Sequence, residues 1–541
     1  MPFGGRTTVL NSLLAYGRCS VLAKRPTVGM TGLREDMAAR SIARHACVAL
    51  TLLLLVLLLP ACASAETTGQ TGTVPAAATT NSTARSETTV GQTETSQVTP
   101  ARGSTGSPGG GDAYLPSAGN GGYDVLGYDI TLDVDPGTGR IAARTVVNAM
   151  ALEDLSAFSL DLVGLDVSSV LVDGSAASFK RDGQDLKIAC PQVIESTKQF
   201  SVQVSYSGVP KGLDHDRGWH EANGTIYTFD EPEGAACWFP VNDTPADKAT
   251  YVFRISVPKP YTAVATGMLV TTESQGDRQT FVWEMKDPMA SYLAGVDIGS
   301  FVSDTSTSSS GVPIRNYYDV NVADKARQAF AREGEVIDYF STLFGPYPFQ
   351  ACGVVALNVD IEAAMENQTL ILFGRNKLDS GMGFLAHELA HQWFGDSVTI
   401  SRWKDIWLNE GFATYASWLW YEHTDGWPGL QAEVERAEKE LGTSPGQILT
   451  DPGTGSLFAD FVYSKGALTL HALRLEVGDE SFFRTMRAWA DRHKFGNVST
   501  SDFIALAKEE APQVPATDLD SLFDKWLNQP GLPSLPASRA P

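Results

Sequence analysis

From Tyr123 to Val134 polar and apolar residues alternate, as Tyr-Asp-Val-Leu-Gly-Tyr-Asp-Ile-Thr-Leu-Asp-Val. A period of two is that of a strand with one buried face. Shorter runs of this kind follow at 146–152, 158–162, 200–206, 251–257 and 280–283. Turn signals separate them, among them Asp135-Pro136-Gly137-Thr138-Gly139 and Arg181-Asp182-Gly183. Closely spaced strands without helical spacing predict an all-β domain over 112–312. From about Pro313 the period lengthens. Residues 323–344 carry helical spacing up to the breaker cluster Gly345-Pro346-Tyr347-Pro348-Phe349, and 354–357 reads as one more strand. Helical patterns then cover 432–441, 463–477, 481–493 and 501–511, the last with Thr500 as its N-cap. The expectation is an α+β multidomain chain, with a mainly helical domain over 313–541.

The first 111 residues have a different character. Arg40 and Arg44 precede an apolar run from Ala46 to Leu59, too short for a comfortable membrane span. Basic residues before such a run mark an export signal, here within 1–65 and with Met37 as its natural start. Leu59-Pro60-Ala61-Cys62 resembles a bacterial lipoprotein box, which makes Cys62 the candidate for lipidation; Ala63-Ser64-Ala65 offers ordinary secretory cleavage instead. Residues 66–111, rich in Thr, Ser, Gly, Ala and Gln, bury too little apolar surface to offset their ordering entropy and read as a disordered stalk. The favoured location is therefore the cell surface, as a lipoprotein, with secretion as the alternative. Membrane attachment is expected only through that lipid.

Charge narrows the partners. Of 541 residues 41 are basic and 63 acidic, a formal net charge of −22, which argues against nucleic-acid binding. Three of the six cysteines, Cys190, Cys237 and Cys352, fall in the folded part; none belongs to a CxxC pair, and three allow at most one bridge.

The chemistry is concentrated between Gly383 and Glu410. His387 and His391, four residues apart on a predicted helix, share one face and can reach a single metal ion. Glu410 follows after eighteen intervening residues, in a segment that reads as a second helix, and supplies a third ligand. Two imidazoles, one carboxylate and an open position for water suit a catalytic Zn2+, one per chain. Glu388, beside the first histidine, is the residue type that takes a proton from that water. The surrounding Phe384, Leu385, Leu389, Trp393 and Phe394 are apolar, so these charged groups enter a core, where they need a metal or a partner. Asp405 is a candidate hydrogen-bond partner for a ligand histidine.

His387-Glu388-Leu389-Ala390-His391-Gln392-Trp393-Phe394-Gly395-Asp396, the spacing to Glu410, and Trp407-Leu408-Asn409-Glu410-Gly411-Phe412-Ala413-Thr414-Tyr415 resemble the gluzincin aminopeptidases, the family of aminopeptidase N and leukotriene hydrolase. Three other segments support the resemblance in the expected order. The first, 229–250, departs from the family pattern at Phe229 and Ala236, where the family has glutamine and arginine. The second is Ala363-Ala364-Met365-Glu366-Asn367, with Ala363 in the place of a glycine; the third is Tyr463-Ser464-Lys465-Gly466-Ala467. The resemblance spans roughly 112–533 and implies a saddle-shaped N-terminal β domain followed by a thermolysin-like catalytic domain. It further implies a short form without the long C-terminal helical domain of larger members.

By the same resemblance Tyr463 donates to the oxyanion and Glu231 and Glu366 bind a free α-ammonium. Glu362 helps line the first side-chain pocket, which implies a preference for N-terminal Arg or Lys. The expected function is a zinc aminopeptidase acting on peptides with a free N-terminus. The alternatives are an endopeptidase or epoxide hydrolase on the same fold, and a non-catalytic surface-binding protein.

Overall fold

The computed structural model describes residues 103–214, 217–442 and 447–537. Met37, the export segment, Cys62 and the stalk over 66–102 lie outside the described residues. Tyr123–Asp135 forms the predicted alternating strand, with Ile130, Leu132 and Val134 wholly buried. It lies inside an eight-stranded sheet ordered 268–275, 278–290, 248–258, 123–135, 140–151, 199–208, 166–172, 175–176. Its pairing with Lys248–Pro258 is parallel, placing Tyr128 beside Tyr251, and the ring centroids stack 5.0 Å apart. The other strands of that sheet pair antiparallel. A three-stranded sheet (155–161, 185–194, 179–182) and a four-stranded one (262–265, 296–299, 225–229, 218–222) complete the β-rich half. The latter ends at Phe229, two residues before Glu231.

A further four-stranded sheet, 301–307, 313–319, 354–357 and 371–374, crosses the predicted boundary. Residue 312 lies in the hairpin joining its first two strands, because hydrogen bonding across that turn ignores the change in periodicity. The helical half contains α1 (Ala323–Ala329), α2 (Glu333–Phe344), α3 (Met382–His391), α4 (Trp407–Asp425) and α5 (Trp427–Leu441). It continues with α6 (Asp460–Val477), α7 (Asp479–Arg492), α8 (Thr500–Glu510) and α9 (Ala516–Phe523). Among the described residues no helix is long and apolar enough to cross a membrane, and Cys190, Cys237 and Cys352 are all unbridged.

Four expectations are corrected. The helix over 323–344 is two helices, broken around Phe330–Arg332; Glu333 begins the second, turned inward to accept a 2.8 Å hydrogen bond from Asn316 Nδ2. The N-cap of α8 is Ser499 rather than Thr500, within a capping box closed by Asp502, whose carboxylate accepts from the Ser499 N–H at 2.8 Å. The ordered part begins before Asp112: the Ser104 N–H donates to the Asp154 carbonyl at 2.6 Å and the Gly110 N–H to Ala118 at 2.9 Å. Gly106, Gly109 and Gly111 supply the positive φ this segment needs. Backbone hydrogen bonds order it, and a count of apolar side chains does not register them. Asp405, last, hydrogen-bonds neither ligand histidine: it takes the Thr500 hydroxyl at 2.6 Å and so fixes the start of α8.

Candidate active site

Helix α3 presents His387, Glu388 and His391, with Glu388 and His391 buried and His387 half-buried. Glu410 lies in the first turn of α4 and Tyr463 in the first turn of α6. These two helices cross at a glycine contact: a Cβ on Gly411 would lie 2.7 Å from the Gly466 Cα. Any side chain there would push the helices apart, so the residues following Glu410 and Tyr463 bring both groups to one place.

The His387 and His391 Nε2 atoms are 3.1 Å apart, and Glu410 Oε2 stands 3.3 Å from the first and 3.6 Å from the second. Donors bound at zinc's usual distances in a tetrahedral arrangement are separated by roughly 3.3 Å, so the set fits zinc. The other ring nitrogens are held: His391 Nδ1–H donates to the Phe394 carbonyl at 3.1 Å, and His387 Nδ1 meets the Thr414 hydroxyl at 3.4 Å. These contacts, rather than Asp405, aim the imidazoles. Burial lowers the His387 pKa to about 4, which keeps its Nε2 lone pair available. Burial, then Glu366 and Glu410, push Glu388 well above the usual carboxylate range.

Carboxylate oxygens of Glu231, Glu366 and Glu410 all lie within 4.8 Å of one another. Burial raises the Glu231 carboxyl strongly, and Glu366, Glu410 and Glu388 raise it further. Oε1 of Glu231 and Oε1 of Glu366 have no hydrogen-bond partner among the described residues. Confined acids of this kind await a cation. The Tyr463 ring stacks on His387 with centroids 5.9 Å apart. Burial, reinforced by the same carboxylates, keeps its phenol protonated and able to donate. Ala363 is exposed and its φ is not positive, so the missing signature glycine costs the backbone nothing. Ala236, where the family has arginine, is buried, and Arg217 donates to nearby Glu233 Oε1 at 3.0 Å. Glu362 is exposed on the loop leading to Glu366.

Two domain models match the chain: the Peptidase M1 N-terminal domain over 125–293 and the Peptidase family M1 domain over 328–526. A crystal structure of a mutant M1 zinc metallopeptidase from Deinococcus radiodurans, bound to a Tyr-Ser-Ala substrate, superposes with a TM-score of 0.74 at 30% identity. The match covers 80% of this chain and 100% of that one. The chain belongs to the M1 peptidase family. Human glutamyl aminopeptidase is 30% identical over 339 residues, 58% of this chain and 35% of its own length. Aminopeptidase M1 of Arabidopsis thaliana is 26% identical over 458 residues, 76% of this chain and 50% of its own. This M1 peptidase thus spans a third to a half of the length of these curated relatives, and the whole of the Deinococcus chain.

Motif reading overlooked one residue of the site, Gln392. It is fully buried, and Nε2 donates to the Glu366 carbonyl at 3.1 Å and to Asp396 Oδ2 at 2.7 Å. Its Oε1 accepts from the Thr369 N–H at 2.8 Å and the Tyr347 hydroxyl at 3.0 Å. Gln392 therefore clamps the loop carrying Glu366 to the end of the helix carrying the zinc ligands. Gln392→Leu would strand several buried polar groups, at about 1–3 kcal/mol each, and let Glu366 drift from the zinc ligands. The expected outcome is a lowered Tm together with a kcat/KM about 10- to 100-fold below the parent, as for a small misplacement of a substrate-binding group. Thermal melts and steady-state kinetics check both.

Proposed function

We propose that this M1 peptidase is a zinc-dependent aminopeptidase that removes N-terminal residues from peptides bearing a free amine. The observation that carries the reading is the juxtaposition of Glu231, Glu366 and Glu410, within 4.8 Å, beside the HExxH ligands and base. Bound at His387, His391 and Glu410, zinc supplies Lewis acidity toward the scissile carbonyl and lowers the pKa of water. Glu231 and Glu366 hold the substrate's α-ammonium between them. A blocked N-terminus brings no positive charge to offset their repulsion and burial, so it is disfavoured. Glu388 takes the proton of the attacking water and returns it to the departing amine. Tyr463 O–H donates to the developing oxyanion.

Incubating the zinc-loaded protein with a free-amine hexapeptide should release residues singly from the N-terminus, and chelation should stop it; mass spectrometry of the products checks this. Internal cuts would instead favour the endopeptidase reading. Glu362 adds an exposed carboxylate on the loop leading to Glu366, and the matching expectation is that Arg and Lys derivatives outperform those of Leu and Ala. Leu amide cleaved faster than Arg amide would contradict it. For location we infer export with a lipid on Cys62; a mature chain released into the medium, with 1–65 removed and no lipid mass, would oppose that.

A further inference from the structure

The charged groups of the site are acids: Glu231, Glu366, Glu388 and Glu410. The backbone between the strand Ile371–Gly374 and α3 introduces a cation at its edge. Arg375–Lys377 forms a single 3-10 turn, clamped to the neighbouring loop. Asn376 Oδ1 accepts from the Ile361 N–H at 3.1 Å while Nδ2 donates to the Ile361 carbonyl at 2.9 Å, and Arg375 pairs with Asp360 at 2.8 Å. Lys377 and Glu362, the next residue on each side, are thereby held near one another. Arg375 is neutralised by Asp360. For the half-buried Lys377 no hydrogen bond or ion pair holds the ammonium among the described residues.

Lys377 Nζ stands 5.8 Å from the centroid of the Phe384 ring. Phe384 is on α3 four residues before Glu388, so the two lie on one face a turn apart. This places the ammonium on the Glu388 side of the site. The charges agree: burial lowers the Lys377 pKa, whereas Glu362 and Glu388 raise it. Lys377 in turn lowers Glu388, yet it is not among the main influences on Glu231.

We propose that Lys377 is a specificity-determining residue that receives a carboxylate on the departing part of the peptide. This rests on the aminopeptidase reading, in which the substrate's ammonium is anchored at Glu231 and Glu366 and Glu388 protonates the leaving amine. The leaving portion then runs past Glu388 toward Phe384 and Lys377. Without Lys377 a carboxylate there would face Glu362 and Glu388, both of like sign. Two sources supply the same chemistry: the C-terminal carboxylate of a di- or tripeptide, and an acidic side chain just after the scissile bond. A preference for short or acidic peptides follows from either.

The test uses the zinc-loaded full chain and two substrate pairs: Leu-Ala-Ala against its C-terminal amide, and Leu-Glu-Ala amide against Leu-Gln-Ala amide. The parent should favour the anionic member of at least one pair by about fivefold in kcat/KM, as expected of a partly exposed charge pair, with the difference carried by KM. The first pair reports a C-terminal carboxylate and the second an acidic side chain. Lys377→Met, which keeps the stem over Phe384, should bring the ratio to about one, and Lys377→Glu should invert it. Because each ratio is internal to one enzyme, partial misfolding of a variant cancels. High salt should erode the parent's ratio. A parent ratio near one in both pairs, or a ratio unchanged in Lys377→Met, would overturn the proposal. Failure of the parent to cleave any of the four peptides would instead overturn the aminopeptidase reading and this proposal with it.

Discussion

Replacing Glu388 by glutamine is expected to lower kcat by about three to four orders of magnitude while leaving one zinc per chain. A positioned general acid–base contributes roughly 10²- to 10⁴-fold, and here one carboxylate serves both the attacking water and the leaving amine. Zinc is retained because Glu388 is not among the three donors, whose nitrogen and oxygen atoms lie 3.1 to 3.6 Å apart without it. Glutamine keeps the volume and removes the charge, so the change in packing is small. Metal analysis beside steady-state kinetics separates the two roles. Zinc loss from the variant would mean that Glu388 supports the metal centre itself, and a kcat near the parent's would remove it from the chemistry.

The second large effect is expected at Tyr463. Tyr463→Phe deletes one hydroxyl and leaves the ring stacked on His387, whose centroid is 5.9 Å away. Loss of one oxyanion donor costs about 10²- to 10³-fold in kcat, with KM little changed because the bond forms in the transition state. Burial and the surrounding carboxylates hold the phenol protonated, so it remains a donor across ordinary assay pH. An equal loss in kcat and gain in KM would point to a structural role instead. Weaker binding of a transition-state analogue to the variant is expected beside that loss.

The zinc ligands were legible because helix periodicity turns a four-residue spacing into one face, and because a core does not admit unpartnered charge. The β-rich half was legible at Tyr123–Val134, where alternation is clean, and the strand extends one residue further, to Asp135. What escaped is chemistry between elements distant in sequence. Gln392 and Glu366 are 26 residues apart, and only the folded chain shows the side chain of one holding the backbone of the other. Asp405 failed as a guide for the converse reason: an acid between helices can serve either neighbour, and it serves Thr500. Lys377 had no motif to mark it. Its meaning comes from Asn376 and Phe384, which fix where its ammonium stands.

The carboxylate pair that would read a free N-terminus is where the account can be tested most directly. The measurement is kcat/KM for a leucine amide and for its N-acetyl form, in the parent and in Glu366→Gln, with zinc content verified in both. The account predicts that the parent cleaves the free amide and leaves the acetylated one essentially untouched, and that Glu366→Gln loses most of that discrimination through a fall on the free substrate. Equal cleavage of both substrates by the zinc-loaded parent would contradict it.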